Sequence, residues 1–229
     1  MRLKEVLGTG VFLLTVFATV GCQQDSYESG DTKYSYLRAD FVEAHSSAVG
    51  EFDRCITDDD ITLFFSPHAT VKWAGTADSV YRALIYYDTR DNDTTDLSSK
   101  TVVPISAARV PVLTPKDSAD FNNDVKNDPI TLESTWISTN GKYLNLGLIY
   151  KTGKADEDSL VQSIGICKEA EHDDTVTLRL HHDQGGVPEY YSSRIYTSIP
   201  LNGELAGKII RLKVNTYKGE IEKTYKSSH

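Results

Sequence analysis

The sequence predicts an all-β protein in two parts, a small closed barrel followed by a β-sandwich, and three observations carry that prediction. From Lys33 onward apolar and polar residues alternate at the two-residue period of a half-buried strand, with hardly any helical periodicity. The apolar runs are short, and clusters of Asp, Gly, Asn and Pro separate them. Midway, residues 114–129 break the pattern: Pro115 and Pro129 bracket Lys116, Asp117, Ser118, Asp120, Asn122, Asn123 and Asp124, a composition that turns a chain.

Before that break there are about five runs. In residues 34–43, Leu37, Ala39 and Phe41 share a face, and in residues 61–65, Ile61, Leu63 and Phe65 do the same. Tyr81, Ala83, Ile85 and Tyr87 alternate with Arg82, Leu84 and Tyr86, which predicts a strand covered on both sides. Val102 and Val103 precede Pro104; Ala108, Val110 and Val112 alternate before Pro115. Five short strands suit a barrel of the OB kind, because closure leaves no exposed edge. The break itself has room for one helical turn, around Phe121 and Val125.

Beyond it, residues 132–137 and 143–150 flank Thr139-Asn140-Gly141, and Asn-Gly between apolar runs signals a hairpin because both tolerate positive φ. Leu144, Leu146 and Leu148 then face a core. Ile164 and Ile166, Val176 to Leu180, Tyr191 to Ile199, and Ile210 to Val214 supply further strands, with Gly185-Gly186 and Asn202-Gly203 as turns. Two packed antiparallel sheets follow. The predicted organisation is a leader over 1–21, a tether over 22–32, an OB-like barrel over 33–116 and a β-sandwich over 117–226.

The leader is a basic start, Arg2 and Lys4, followed by an apolar segment at residues 11–20, too short to span a bilayer. Thr19-Val20-Gly21-Cys22 resembles the bacterial lipobox, with Thr where Leu is usual. That resemblance implies removal of residues 1–21 and lipidation of Cys22, attaching the protein to the outer membrane through an N-terminal lipid anchor. Asp25 and Glu28 faintly resemble a surface-export signal of Bacteroidota lipoproteins, so the periplasmic and cell-surface faces both stay open.

The formal charge is −9, and losing Arg2, Lys4 and Glu5 with the leader makes it −10. Such a chain repels phosphate backbones, so nucleic acid is not an expected partner. Cys55 and Cys167 read as separate buried apolar residues, with a bridge between them as the alternative.

No reaction signature is present: no G-x-S-x-G, H-E-x-x-H, phosphate loop or G-x-G-x-x-G. Cys167 and His172 have no local signature of a nucleophile and its base. His181 and His182, as neighbours on a strand, point to opposite faces and read as surface histidines rather than a zinc site. Asp88, Asp91, Asp93 and Asp96 lack the Gly and Glu of a calcium loop and read as a solvated connection. Asp58-Asp59-Asp60 and Asp173-Asp174 read as strand-flanking turns. Neither catalytic residues, metal nor cofactor are expected. Among 13 tyrosines and two tryptophans, Trp73, Tyr86, Tyr190 and Tyr191 are the ligand-contact candidates, since such rings give rigid amphipathic area.

Asn127-Asp128-Pro129-Ile130 leading to Trp136, then Tyr143-Leu144-Asn145-Leu146, Leu178-Arg179-Leu180-His181-His182 and Ile199-Pro200-Leu201, together with the lipobox and tether, resemble the NigD-like lipoproteins of Bacteroidota. The resemblance implies an OB domain before a β-sandwich, no catalytic residues, and an association with bacteriocin operons in which a role in immunity has been proposed. The expectation is a non-enzymatic outer-membrane lipoprotein that binds a protein partner or protects the envelope. The alternative is a surface glycan-binding accessory lipoprotein, with an exposed aromatic platform near Trp73 and Tyr86.

Overall fold

A computed structural model describes residues 37–89, 98–154 and 160–227. Cys22, Tyr34, Tyr36, Asp91, Asp93 and Asp96 lie outside them. Five strands, β1 (Leu37–Ala48), β2 (Glu51–Thr57), β3 (Thr62–Thr70), β4 (Ser79–Asp88) and β5 (Ser99–Arg109), close a barrel in the order β1-β2-β3-β5-β4. All pairs are antiparallel except β3 with β5. Val42, Ala44, Phe52, Cys55, Leu63, Phe65, Ala83, Ile85, Tyr87 and Val102 fill its interior. The period-two reading located four of these strands but divided β5 at Pro104 and passed over β2. Pro104 lies beside a bulge opposite Tyr86 and Tyr87, where the ladder is already interrupted. In β2, a register shift between Phe52 and Arg54 breaks the alternation.

Seven strands follow: β6 (Thr131–Ile137), β7 (Tyr143–Thr152), β8 (Ser163–His172), β9 (Thr175–Asp183), β10 (Tyr191–Pro200), β11 (Ile209–Thr216) and β12 (Gly219–Lys226). They form a three-stranded sheet, β10-β7-β6, and a four-stranded sheet, β12-β11-β9-β8, around one core containing Leu144, Leu146, Leu148, Ile166, Leu178, Leu180, Ile199, Ile210 and Leu212. The Asn140-Gly141 hairpin is as expected, with Gly141 at φ +73°. The sequence did not disclose that β9 and β11 pair in parallel, nor that β12 exists. Only Ile221 and Tyr225 of β12 pack against the core, and Glu220, Glu222, Lys223 and Lys226 fill most of the rest, a composition that protects an edge strand and disguises it.

Residues 110–116 strap the open side of the sandwich. Val112 pairs with Ser198 at the edge of one sheet, and Lys116 pairs with Cys167 at the edge of the other. A 3-10 turn at Ser118–Phe121 follows, and Asn127 pairs with His182 at the end of β9. None of the described helices is long and apolar enough to cross a membrane.

Barrel and sandwich belong to one compact unit, Tyr36–His229. On the outward face of β7, Asn145 meets the barrel, while Gly147 lies under Tyr196. Arg82 on β4, its side chain 1% exposed, donates to both carboxylate oxygens of Asp58 at 2.6 and 2.7 Å, to Asn145 Oδ1 at 3.1 Å and to Ser198 Oγ at 3.2 Å. Its guanidinium lies 4.1 Å from the centre of the Tyr143 ring. Phe41 meets Trp136 and Tyr196 edge to face, each at 5.4 Å, and Gly147 leaves the Tyr196 ring its room. The hairpin also grips the barrel, through Asn140 N–H to the Asp58 carbonyl and through Lys142 and the Tyr143 hydroxyl to Glu43. Burial raises the Glu43 carboxyl, but those two bonds outweigh it and hold it below the usual range. Asp58 is therefore more than the turn residue the sequence suggested: it is half of a buried ion pair within the barrel, both members of which reach Asn145 of the sandwich.

Candidate functional site

With the core filled and the two halves locked, the surface with a built geometry is the end of the sandwich where the β9–β10 loop lies. That loop is positioned by paired amides. Gln162 Nε2 donates to Gln184 Oε1 at 2.8 Å and to the Lys151 carbonyl at 2.7 Å; Gln184 Nε2 donates to the same carbonyl at 3.1 Å and to that of Val187 at 2.7 Å. The Gln184 N–H donates to Asp128 and the Gly185 N–H to Asp183. Gly185 sits at φ +58°, and a Cβ there would lie 2.1 Å from the Val161 carbonyl oxygen, so only glycine makes this turn. On this frame Tyr190 is 78% exposed and Tyr191 58%. Tyr190 lies over the backbone of Gly153. Val161 and Tyr217 are exposed as well. Burial first, and the carboxylate of Glu189 second, raise the Tyr217 hydroxyl, which places Tyr217 beside the same loop. The result is an aromatic surface on a hydrogen-bonded scaffold, suited to contact rather than proton transfer.

The structure keeps the four aromatic candidates in two places. Tyr190 and Tyr191 stand together at this end. Trp73 packs in the barrel against Phe52 at 5.3 Å and Tyr81 at 5.9 Å, and its Nε1 donates to the Ala107 carbonyl. Tyr86 is half-buried on β4, between Ala39 and Ser106. Sequence reasoning missed Gln162 and Gln184, because nothing local marks a glutamine as a bridge between loops.

The histidines need correcting. His181 and His182 are buried, not surface residues. His181 Nδ1 accepts the Lys126 N–H at 3.0 Å, its Nε2 lies 3.2 Å from Ser163 Oγ, and its ring packs on Phe121 at 4.6 Å. His182 Nδ1 bonds the Asp128 carbonyl at 3.1 Å. Both stitch the chain after the 3-10 turn onto β9. Among the described residues no three His, Cys, Asp or Glu side chains are placed to hold a metal ion. Cys55 and Cys167 are both free and buried, Cys55 in the barrel core. Burial pushes the Cys55 thiol up to about 12 and raises that of Cys167, away from the thiolate a nucleophile needs. His172 is five residues along the strand from Cys167 and exposed. A cleft of about 470 Å³ opens beside Glu43, Lys142, Tyr143 and Asn202. There, Glu43 is already spent on Lys142 and Tyr143.

Residues 112–227 match the model of the NigD-like C-terminal beta sandwich domain, a little over half of the chain. The chain belongs to the NigD-like family. The match begins at Val112, where the strap first pairs with β10. Several solved structures share the whole architecture. A NigD-like immunity protein from Bacteroides caccae is 22% identical with a TM-score of 0.62, over 82% of this chain and 96% of that one. A protein named as toxin-related from Parabacteroides distasonis is 17% identical with a TM-score of 0.60, over 84% and 94%. A protein named as a lipoprotein, from Bacteroides fragilis, is 11% identical with a TM-score of 0.56, over 84% and 98%. At these identities the likeness is one of fold. No curated protein matches the chain.

Proposed function

We propose that this NigD-like protein is a non-enzymatic, lipid-anchored protein of the outer membrane that binds a protein partner through the Tyr190–Tyr191 end of its sandwich, in envelope protection of the immunity type. The observation that carries the reading is the pair of exposed tyrosines on a loop held by Gln162, Gln184 and Gly185, because a rigid aromatic surface costs little ordering entropy on binding. Family membership and the immunity and toxin-related names of proteins with this fold agree with it. The anchor is Cys22, supported by the lipobox resemblance and by the B. fragilis protein named as a lipoprotein. A leader over 1–21 and a tether over 22–32 precede a barrel over 33–116 and a sandwich over 117–226 in this reading.

The same rings favour a second reading, glycan binding by a surface accessory lipoprotein, since tyrosine also stacks on sugars. A photo-crosslinking amino acid at position 190, in cells expressing the full chain, separates the two. Adducts with one discrete protein support the partner reading, adducts with envelope polysaccharide support the glycan reading, and adducts with neither refute both. Protease treatment of intact cells, with Cys22→Ala alongside, reports which face of the membrane the protein occupies.

A further inference from the structure

The tyrosine end leaves a second exposed surface unexplained, on the wall of the barrel. Along β1, Val42 and Ala44 point into the barrel, so Leu37, Ala39 and Phe41 point out; the sandwich rings cover Phe41, and Leu37 and Ala39 lie beyond them. Register carries the apolar surface from strand to strand. Leu37 is opposite Asp88, which is opposite Val103; Ala39 is opposite Tyr86, which is opposite Ser106. Ile105 is the bulged residue between these rows, 59% exposed. Leu37, Tyr86, Val103 and Ile105 thus form one diagonal patch over the neighbouring strands β1, β4 and β5. Among the described residues, it contains three of the 12 exposed large hydrophobics; Phe64 and Ile56, on β3 and β2, lie further round the closed barrel.

We infer that this wall lies against the phospholipid surface to which the chain is anchored. The inference rests on lipidation of Cys22 as proposed above. The length of the tether argues for this occupant. Fourteen residues, 23–36, separate Cys22 from Leu37, the residue that begins the patch. Such a segment reaches about 50 Å fully extended and about 20 Å as a flexible chain. The anchor therefore holds the patch within a barrel's diameter of the bilayer, where contact is intramolecular and needs little affinity of its own. Asp88 between Leu37 and Val103 keeps the contact at headgroup depth, where the charge stays hydrated while the Tyr86 ring and the aliphatic groups leave water. A wall seated this way turns the barrel toward the membrane and fixes the orientation of whatever the sandwich presents.

The test uses the mature chain from Cys22. Cys55 and Cys167 are 1% and 2% exposed, so Cys22 is the thiol that reacts. It is coupled to a maleimide lipid in neutral phosphatidylcholine vesicles or, as the soluble control, to maleimide-polyethylene glycol, and both are labelled with hydroxyl radicals. Labelling of Ile105 and Leu37 is expected to fall at least threefold on vesicles, with Tyr190 and Tyr191 unchanged. In Val103→Ser/Ile105→Ser, both surface positions, the remaining protection of Leu37 is lost while the circular dichroism spectrum is kept. Equal labelling of Ile105 on vesicles and on polyethylene glycol overturns the inference. So does protection that appears in the soluble control as concentration rises, which would mean that a second copy covers the wall. Mass spectrometry of Cys22 from cells separates the two claims: an unlipidated Cys22 removes the anchor, whereas unprotected vesicle-bound Ile105 removes the docking.

Discussion

Replacing Arg82 by Met removes a charge from the join between barrel and sandwich while keeping most of the side chain's bulk. Asp58, its side chain 15% exposed, would lose both guanidinium bonds, and Asn145 Oδ1 and Ser198 Oγ would each lose a donor. Breaking one side of a buried pair costs about 3–5 kcal/mol, chiefly because the abandoned charge stays in a poorly hydrated site. The exposed fraction of Asp58 admits some water, so about 3 kcal/mol is expected, a fall of roughly 6–12 °C in melting temperature for a body of this size. The double variant Arg82→Met/Asp58→Leu should recover a good part of that loss, since it leaves no orphaned carboxylate. Urea unfolding of wild type, both single variants and the double variant measures the coupling. A cost below about 1 kcal/mol for Arg82→Met would refute the claim that this buried pair anchors the network through which the barrel meets Asn145 and Ser198.

Further outcomes can be checked on the same material. Gly185→Ala should cost more than about 2 kcal/mol, because it combines positive φ with a 2.1 Å approach to the Val161 carbonyl; it should also disorder the Tyr190 loop in hydrogen exchange. Gly147→Ala should cost about 1–3 kcal/mol, since its Cβ meets Ser134 Oγ at 2.5 Å and Tyr196 Cε1 at 3.2 Å; a cost near zero would mean that Ser134 simply rotates away. Burial lowers the folded His181 below its ordinary 6.5 against the opposing pull of Asp183, Asp124 and Asp128. The unfolded chain therefore takes the proton first, so stability is full above about pH 6.5 and falls as the pH drops from there toward the lowered folded value. Melting temperature measured from pH 7.5 to 5.5 should show that decline in wild type and a flatter profile in His181→Gln; parallel profiles would show that His181 does not titrate in this way. Tyr190→Ser/Tyr191→Ser should change stability by less than about 0.5 kcal/mol, both side chains being exposed, yet abolish the position-specific adducts if those rings make the contact.

Architecture was legible because it depends on local order. Strand period and turn residues such as Asn140-Gly141 are read within a dozen residues. Where local order was broken, so was the reading: a bulge hid β2, Pro104 divided β5, and the charged β12 did not look like a strand. The candidate site was half legible. A sequence shows an aromatic ring but not its exposure: Tyr190 and Tyr191 are exposed, whereas Trp73, chosen on the same grounds, packs among Phe52 and Tyr81 in the barrel.

By itself, then, the sequence determined the all-β class, the order of barrel and sandwich, and the family, since hydrophobic period and turn chemistry act between near neighbours. Tertiary structure alone decided that Arg82 meets Asp58, Asn145 and Ser198, that His181 and His182 are buried stitches, and that Gln162 and Gln184 hold the tyrosine loop. Among those contacts, Ser163 and His181 are 18 positions apart, Gln162 and Gln184 are 22, and Arg82 and Ser198 are 116. Their partners are set by how strands pair and sheets pack, and no periodicity along the chain encodes that.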